Sequence, residues 1–277
     1  MMSLEEEIVR HPDDIDALDA LGRTPLIWAA ARGDEHAVAV LLGAGADPNT
    51  LDIQWTGAVS YAAERDHTVC VRLLLEAGAM PDPPSPAGIK VGSALSCASR
   101  NASNPLILKT LLDFGADVEA SGVEGITPLI HVARTDKADF ALLLLEYGAD
   151  INATSTLGQT PLTTAIAYNS HGVLQLLLDR WFEYSECPRL KGPHLLQITG
   201  SYADTETINI LTTTSHFMLK YDRDFVIGDF ITRLRQRSDL TEKLVAAFES
   251  LVNVISKQPD SRASTPSLME SGLLPYQ

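Results

Sequence analysis

The chain has 277 residues, 45% of them hydrophobic, and a formal net charge of −15. That is ample material for a buried core, and the acidity argues against nucleic acid as a partner. The charge is uneven, with 26 acidic and 11 basic residues before position 189 and ten of each from Arg189 onward. No cluster of Lys and Arg with interleaved aromatics offsets this, so neither DNA nor RNA binding is expected.

In chain order, Ser3 to His11 reads as a short helix with Ser3 and Glu6 spaced as a capping box. Thr24-Pro25-Leu26 then opens a helix, because Thr can cap it and Pro suits a first turn that needs no N–H. Two weaker openings follow at Gly57-Ala58-Val59 and Ser93-Ala94-Leu95, and the full signal returns at Thr127-Pro128-Leu129 and Thr160-Pro161-Leu162. Leu-rich runs close at Gly45-Ala46, Gly78-Ala79, Gly115-Ala116 and Gly148-Ala149, a nearly constant spacing that lengthens only across the third unit. Such a glycine supplies the positive φ that ends a helix. The third unit is irregular, led by Pro81-Asp82-Pro83-Pro84-Ser85-Pro86, which cannot be helical. The fifth ends in Trp181 where Gly is expected. A degenerate sixth runs from Gly192-Pro193 through Ile208-Asn209-Ile210-Leu211. Asp224 to Arg237 and Asp239 to Ile255 predict one more helix pair, with Asp239 as cap of the second. Its stripe of Leu240, Leu244, Ala247, Leu251 and Ile255 reads as core rather than as a partner's docking face. The Ser- and Pro-rich stretch after Ser256 reads as disordered, with Ser264 and Thr265 as phosphorylation candidates.

A period of about 33 residues with these openings and closures resembles the ankyrin repeat. The resemblance implies an all-α solenoid of stacked helix-turn-helix units with helical caps. The expected division is a capping half-repeat at 1–18, five repeats at 19–181, a degenerate repeat and cap at 182–257, and a tail at 258–277. One departure stands out: the family's Thr-Pro-Leu-His carries Ile27, Ser60, Ser96, Ile130 and Thr163 at its fourth place, never His.

No motif for catalysis is present: no phosphate loop, Cys-x-x-Cys, His-Glu-x-x-His or Gly-x-Ser-x-Gly. The expectation is therefore a chain that is not an enzyme, without cofactor or metal. His67 reads as a structural turn histidine, His131, near Asp136 in sequence, as a core or turn residue rather than a proton-transfer group, and Ser170-His171 as a chance neighbour pair. Cys70, Cys97 and Cys187 are odd in number and far apart, which suits buried fillers in a reducing compartment. There is no apolar run of membrane length, and Leu4-Glu5-Glu6-Glu7 does not read as a signal peptide. A cytoplasmic location, or a nuclear one, and a monomer are expected.

The resemblance also implies where a partner binds: the turn tips and the exposed side of each first helix. Carried over, the tips give Ile53, Gln54, Ile89, Lys90, Val123, Glu124 and Leu157. The helices give Arg32, Arg65, Arg100, Asn101, Arg134 and Tyr168. The four arginines, one per successive unit, read either as a ladder that grips an acidic partner segment or as local partners of acids such as Glu64 and Asp136. Trp55 stands where Gly22, Gly125 and Gly158 stand in other units and is the best apolar anchor. The expected function is a non-catalytic protein–protein interaction module, an adaptor or scaffold. The alternatives are a regulatory subunit or inhibitor of a single enzyme and, less favoured, an enzyme using a groove His or Asp.

Overall fold

The computed structural model describes residues 14–84, 93–184, 195–214 and 231–256. The predicted helix at the N-terminus, the loop positions Ile89 and Lys90, Cys187, and the predicted tail with Ser264 and Thr265 lie outside them. The described residues form helices in pairs: α1 (Pro25–Arg32) with α2 (Glu35–Gly43), α3 (Ala58–Glu64) with α4 (Thr68–Glu76), and α5 (Ala94–Asn101) with α6 (Pro105–Asp113). Next come α7 (Pro128–Thr135) with α8 (Ala138–Glu146), α9 (Pro161–Tyr168) with α10 (His171–Tyr184), α11 (Leu195–Tyr202) with α12 (Thr205–Thr213), and finally α13 (Glu242–Ser256). Among the described residues there is no strand, and Leu51 and Gly57 form an isolated antiparallel bridge. The fold class is all-α, built of stacked helix-turn-helix repeats.

The openings work as their chemistry demands. Thr24 Oγ1 accepts from Ile27 N–H at 3.2 Å, with Pro25 in the first turn. Thr160 goes further: its hydroxyl takes the Thr163 N–H while the Thr163 hydroxyl takes the Thr160 N–H, a reciprocal cap. Gly57 offers no side-chain cap, and α3 is correspondingly short. Gly45, Gly78, Gly115 and Gly148 all have φ between 84° and 98°, which lets each second helix stop sharply.

The chain divides into two compact units, Met1–His131 with Leu142–Asp150, and Val132–Ala141 with Ile151–Gln277. In the first, α1 packs on α3 and α3 on α5, while α2 packs on α4 and α4 on α6. Like helices therefore stack on like, and Leu26, Leu74, Leu95, Leu108 and Leu111 are fully buried. In the second, α9 packs on α11, α10 on α12, and α12 on α13. The buried Leu244, Val245, Ala247, Phe248, Leu251 and Val252 of α13 supply that last contact. The cap of α13 differs from the expectation. Asp239 is drawn into a forked pair with Arg237, at 2.8 and 2.6 Å, and Thr241 Oγ1 instead accepts the Leu244 N–H at 3.2 Å. A nearby guanidinium competes for a carboxylate more strongly than a backbone N–H does.

Two series of hydrogen bonds tie successive repeats. In the first, a residue with positive φ between the two helices reaches the next repeat. Asp66 accepts from Ser103 N–H at 3.0 Å and from its hydroxyl. Asp136 accepts from Val173 N–H at 2.9 Å. Asn169 accepts from Asp204 N–H and the Thr207 hydroxyl and donates to Tyr202 C=O. At Gly33, which has no side chain to offer, the His67 ring fills the space instead and leaves no room for a Cβ. In the second series, Asp16, Asn49, Asp82 and Glu119 accept the N–H of Asp47, Met80, Asp117 and Asp150. These ties, with Ser96 Oγ donating to Ala120 C=O at 2.7 Å, do the joining that the family's histidine would do.

Candidate functional site

In the first unit, two turn tips are closed alike. Asp19 Oδ1 accepts the N–H groups of Leu21 and Arg23, and one repeat on Asp52 Oδ1 accepts those of Gln54 and Thr56. The tips touch: Ile53 N–H donates to Leu21 C=O at 3.1 Å. That approach fixes Gly22, because a Cβ there would lie 3.2 Å from the Ile53 nitrogen. Trp55 takes the equivalent position with φ 61° although it carries the largest side chain. Trp55 as a whole is 38% exposed, and Leu21, Ile53 and Gln54 are exposed on the same tips. In the second unit, Leu157 is an exposed tip residue of the same kind. The turn at Val123–Gly125 in the fourth repeat holds Glu124, exposed, at φ 70°.

The arginines do not share one register. Arg32 and Arg65 come eight positions after Thr24 and Gly57, but Arg100 and Arg134 come seven after Ser93 and Thr127. One residue turns a helix by about 100°. Arg100 faces Glu64 at 3.4 Å, which offsets its charge, and Asn101 beside it is exposed. Arg134, in the second unit, lies over the Tyr168 ring at 5.3 Å, and its Nε–H has no acceptor. Asp136, the other acid expected to pair with an arginine, holds the Val173 N–H. Arg65 is exposed with no partner among the described residues.

A further arginine, Arg23, has the most organised surroundings. Its guanidinium lies between the Trp28 ring at 5.0 Å and the Tyr61 ring at 5.5 Å, with Asp52 3.8 Å from Nε. Asp52 also takes the Tyr61 hydroxyl at 2.7 Å, and Asp19 takes the Trp28 indole N–H at 2.9 Å. Burial, followed by the hydrogen bond to Asp52, raises the Tyr61 pKa, so the ring stays neutral. Arg32 approaches the same Trp28 ring at 5.4 Å. The pairing of Trp28 and Tyr61 was traceable in sequence, since they stand one full repeat apart.

In the second unit a groove of about 520 Å³ opens between α9 and α11. Tyr168 and Tyr202, the last residues of those helices, form its walls, with Thr164, Gln159 and Ile198 also lining it. His171, outside this groove, points its two ring nitrogens at Asp204 (3.0 Å) and Glu206 (3.4 Å). Burial raises the Cys70 and Cys97 thiols to about 11, with neighbouring acids adding to it, so both are poor nucleophiles at neutral pH. Among the described residues no group of three or more His, Cys, Asp or Glu is placed to hold a metal, and no helix is long and apolar enough to cross a membrane.

Stacked helix pairs linked by closed turn tips define a helical repeat protein. The sequence model described as ankyrin repeats (3 copies) matches residues 4–85 and 94–186, well over half the chain, and the chain belongs to the ankyrin-repeat family. It is similar to the potassium channel AKT2/3 of Arabidopsis thaliana, 30% identical over 142 residues, which are 51% of this chain and 17% of that protein. It is also similar to the ankyrin repeat protein nuc-2 of Neurospora crassa, 39% identical over 104 residues, or 35% of this chain and 9% of that protein. The chain thus spans less than a fifth of either relative. Proteins of this family bind other proteins.

Proposed function

We propose that the chain is a non-catalytic adaptor or scaffold, located in the cytoplasm or nucleus, whose first unit binds a partner protein through its turn tips and the adjoining ends of α1 and α3. The observation that carries this is Trp55, an exposed aromatic held at φ 61° in a position that glycine fills in other repeats. A bulky residue in left-handed backbone is disfavoured by roughly 1–3 kcal/mol and persists only where something compensates. An apolar anchor at an interface is such a compensation, since aromatics at the centre of a contact dominate binding. Leu21 and Ile53 extend the apolar surface, and Arg32 and Arg65 add exposed cationic donors suited to carboxylates on the partner.

The test is cross-linking of the purified chain to its cellular partners, followed by affinity measurement on those identified. Trp55→Gly should abolish or strongly weaken binding without lowering the thermal midpoint. Arg65→Ala should weaken it, the more so at low salt. Should both variants bind normally while Arg72→Ala or Glu76→Ala on α4 abolishes binding, the interface is on the second helices instead.

A further inference from the structure

We propose that the groove between α9 and α11 receives the guanidinium of an arginine side chain carried by a partner protein. It is a separate surface from the turn tips of the first unit, and it rests on the same reading of the chain as a protein-binding module. Tyr168 and Tyr202, at the ends of two helices that pack together, are 51% and 58% exposed. Among the described residues that line the space none is charged, and Arg134 approaches it only over the Tyr168 ring. Two polar atoms of its lining residues, Gln159 Oε1 and Thr164 Oγ1, are buried without any hydrogen bond, and Thr164 is only 3% exposed. A buried acceptor left unmatched is unfavourable, and a ligand rich in N–H donors relieves it.

The same chain shows what fits between two aromatics on successive first helices. In the first unit Trp28 and Tyr61 hold the guanidinium of Arg23, with Asp52 beside it. In the second unit Arg134 already lies over the Tyr168 ring, which shows that this ring takes a guanidinium. Tyr202 has no such companion among the ring contacts of the described residues. A guanidinium is planar, stacks on aromatic faces, carries five donors and is weakly hydrated. An ammonium is compact and strongly hydrated, so it gains less from the same walls. The net charge of −15 draws in a cationic segment and repels an acidic one.

The experiment is fluorescence anisotropy on the full chain with a labelled Gly-Gly-Arg-Gly-Gly peptide and its Lys- and Glu-centred counterparts. The Arg peptide should bind about tenfold more tightly than the Lys peptide. Tyr202→Ala should weaken it by about tenfold, the scale of one desolvated cation–aromatic contact, and Tyr202→Phe should retain it. The Tyr202 side chain is exposed, and an unchanged thermal midpoint shows that both variants fold. The proposal is overturned by no binding of the Arg peptide, by equal binding of the Lys peptide that Tyr202→Ala leaves intact, or by tyrosine-dependent binding of the Glu peptide. Free arginine, which carries the same guanidinium, should compete with the peptide for the groove. The assay reads the groove alone. Its failure leaves the tip reading standing, and failure of the tip variants to lose their partner leaves the groove standing.

Discussion

At Trp55 and Gly22 the same backbone position is solved in two ways, and the two residues respond oppositely to substitution. Gly22→Ala meets both a φ of 73° and the Ile53 nitrogen at 3.2 Å, and should destabilise by about 1–3 kcal/mol in urea unfolding. Trp55→Gly relieves the left-handed strain and should leave the urea midpoint unchanged or raise it, by up to roughly 1 kcal/mol. A lowered midpoint would mean that the indole packs for stability rather than waiting for a partner. Ser96 is a second informative residue, because it stands where the family places a histidine and gives its hydroxyl to Ala120 C=O. Ser96→Ala should cost about 1 kcal/mol, the worth of one part-buried hydrogen bond. The missing histidine was visible in the sequence; its substitute was not, since a serine shows nothing of its partner until Ala120 is brought to it. The row of arginines breaks for a simpler reason. A one-residue offset from the helix start turns Arg100 away from the line of Arg32 and Arg65, and Glu64 then captures it; Arg134 carries the same offset and turns to Tyr168.

The helices were legible because their signals are local: a capping hydroxyl, a first-turn proline, a Leu run and a closing glycine all lie within one repeat. The ties between repeats were not, because each joins a polar loop residue to a backbone N–H that belongs to the following repeat. Asn169 carries the richest of them, at φ 54°, with its side-chain amide in three hydrogen bonds to the following repeat. Asn169→Ala should therefore lose roughly 3 kcal/mol, from strain and lost hydrogen bonds together. Hydrogen exchange should quicken first at the start of α12, where the Asp204 N–H loses its acceptor. On α8, Leu144 is fully buried, and Leu144→Ala should cost about 2–5 kcal/mol as lost burial plus cavity. Calorimetry that found no change would place Leu144 outside the core.

For the whole molecule, acidity is a burden that pH can lift. Burial raises the carboxyls of Asp82 and Glu119 above their ordinary values of 3.8 and 4.5; the N–H groups they accept only partly offset it, and repulsion from Asp117 and Asp150 adds to the rise. Groups raised on folding hold their protons better in the folded state, so their contribution to stability falls as pH climbs from those ordinary values through the raised ones. Asp204 runs the other way. Burial opposes, but hydrogen bonds from Thr207 and His171 outweigh it and lower its pKa below 3.8, so its contribution is present above that value and is lost on acidification through the lowered one. Replacing Asp82 with Asn keeps an acceptor for the Asp117 N–H and removes the buried charge. Asp82→Asn should raise the thermal midpoint at pH 7 and lessen the decline between about pH 4 and neutrality. An unchanged pH profile would show that Asp82 is solvated as freely as a surface acid.

The ties also bear on how such a chain can be recombined. Asp66 belongs to one repeat and Ser103 to the next, and the same holds for Asp136 with Val173 and for Asn169 with Asp204. A repeat cut at its turn tips and spliced elsewhere would therefore arrive with a reaching side chain that finds no receiver. A segment of two successive repeats, such as the stretch from just before Asp66 to just before Asp136, would keep Asp66 with Ser103. Chimeras that transplant linked pairs of repeats should fold where chimeras that transplant one repeat alone do not.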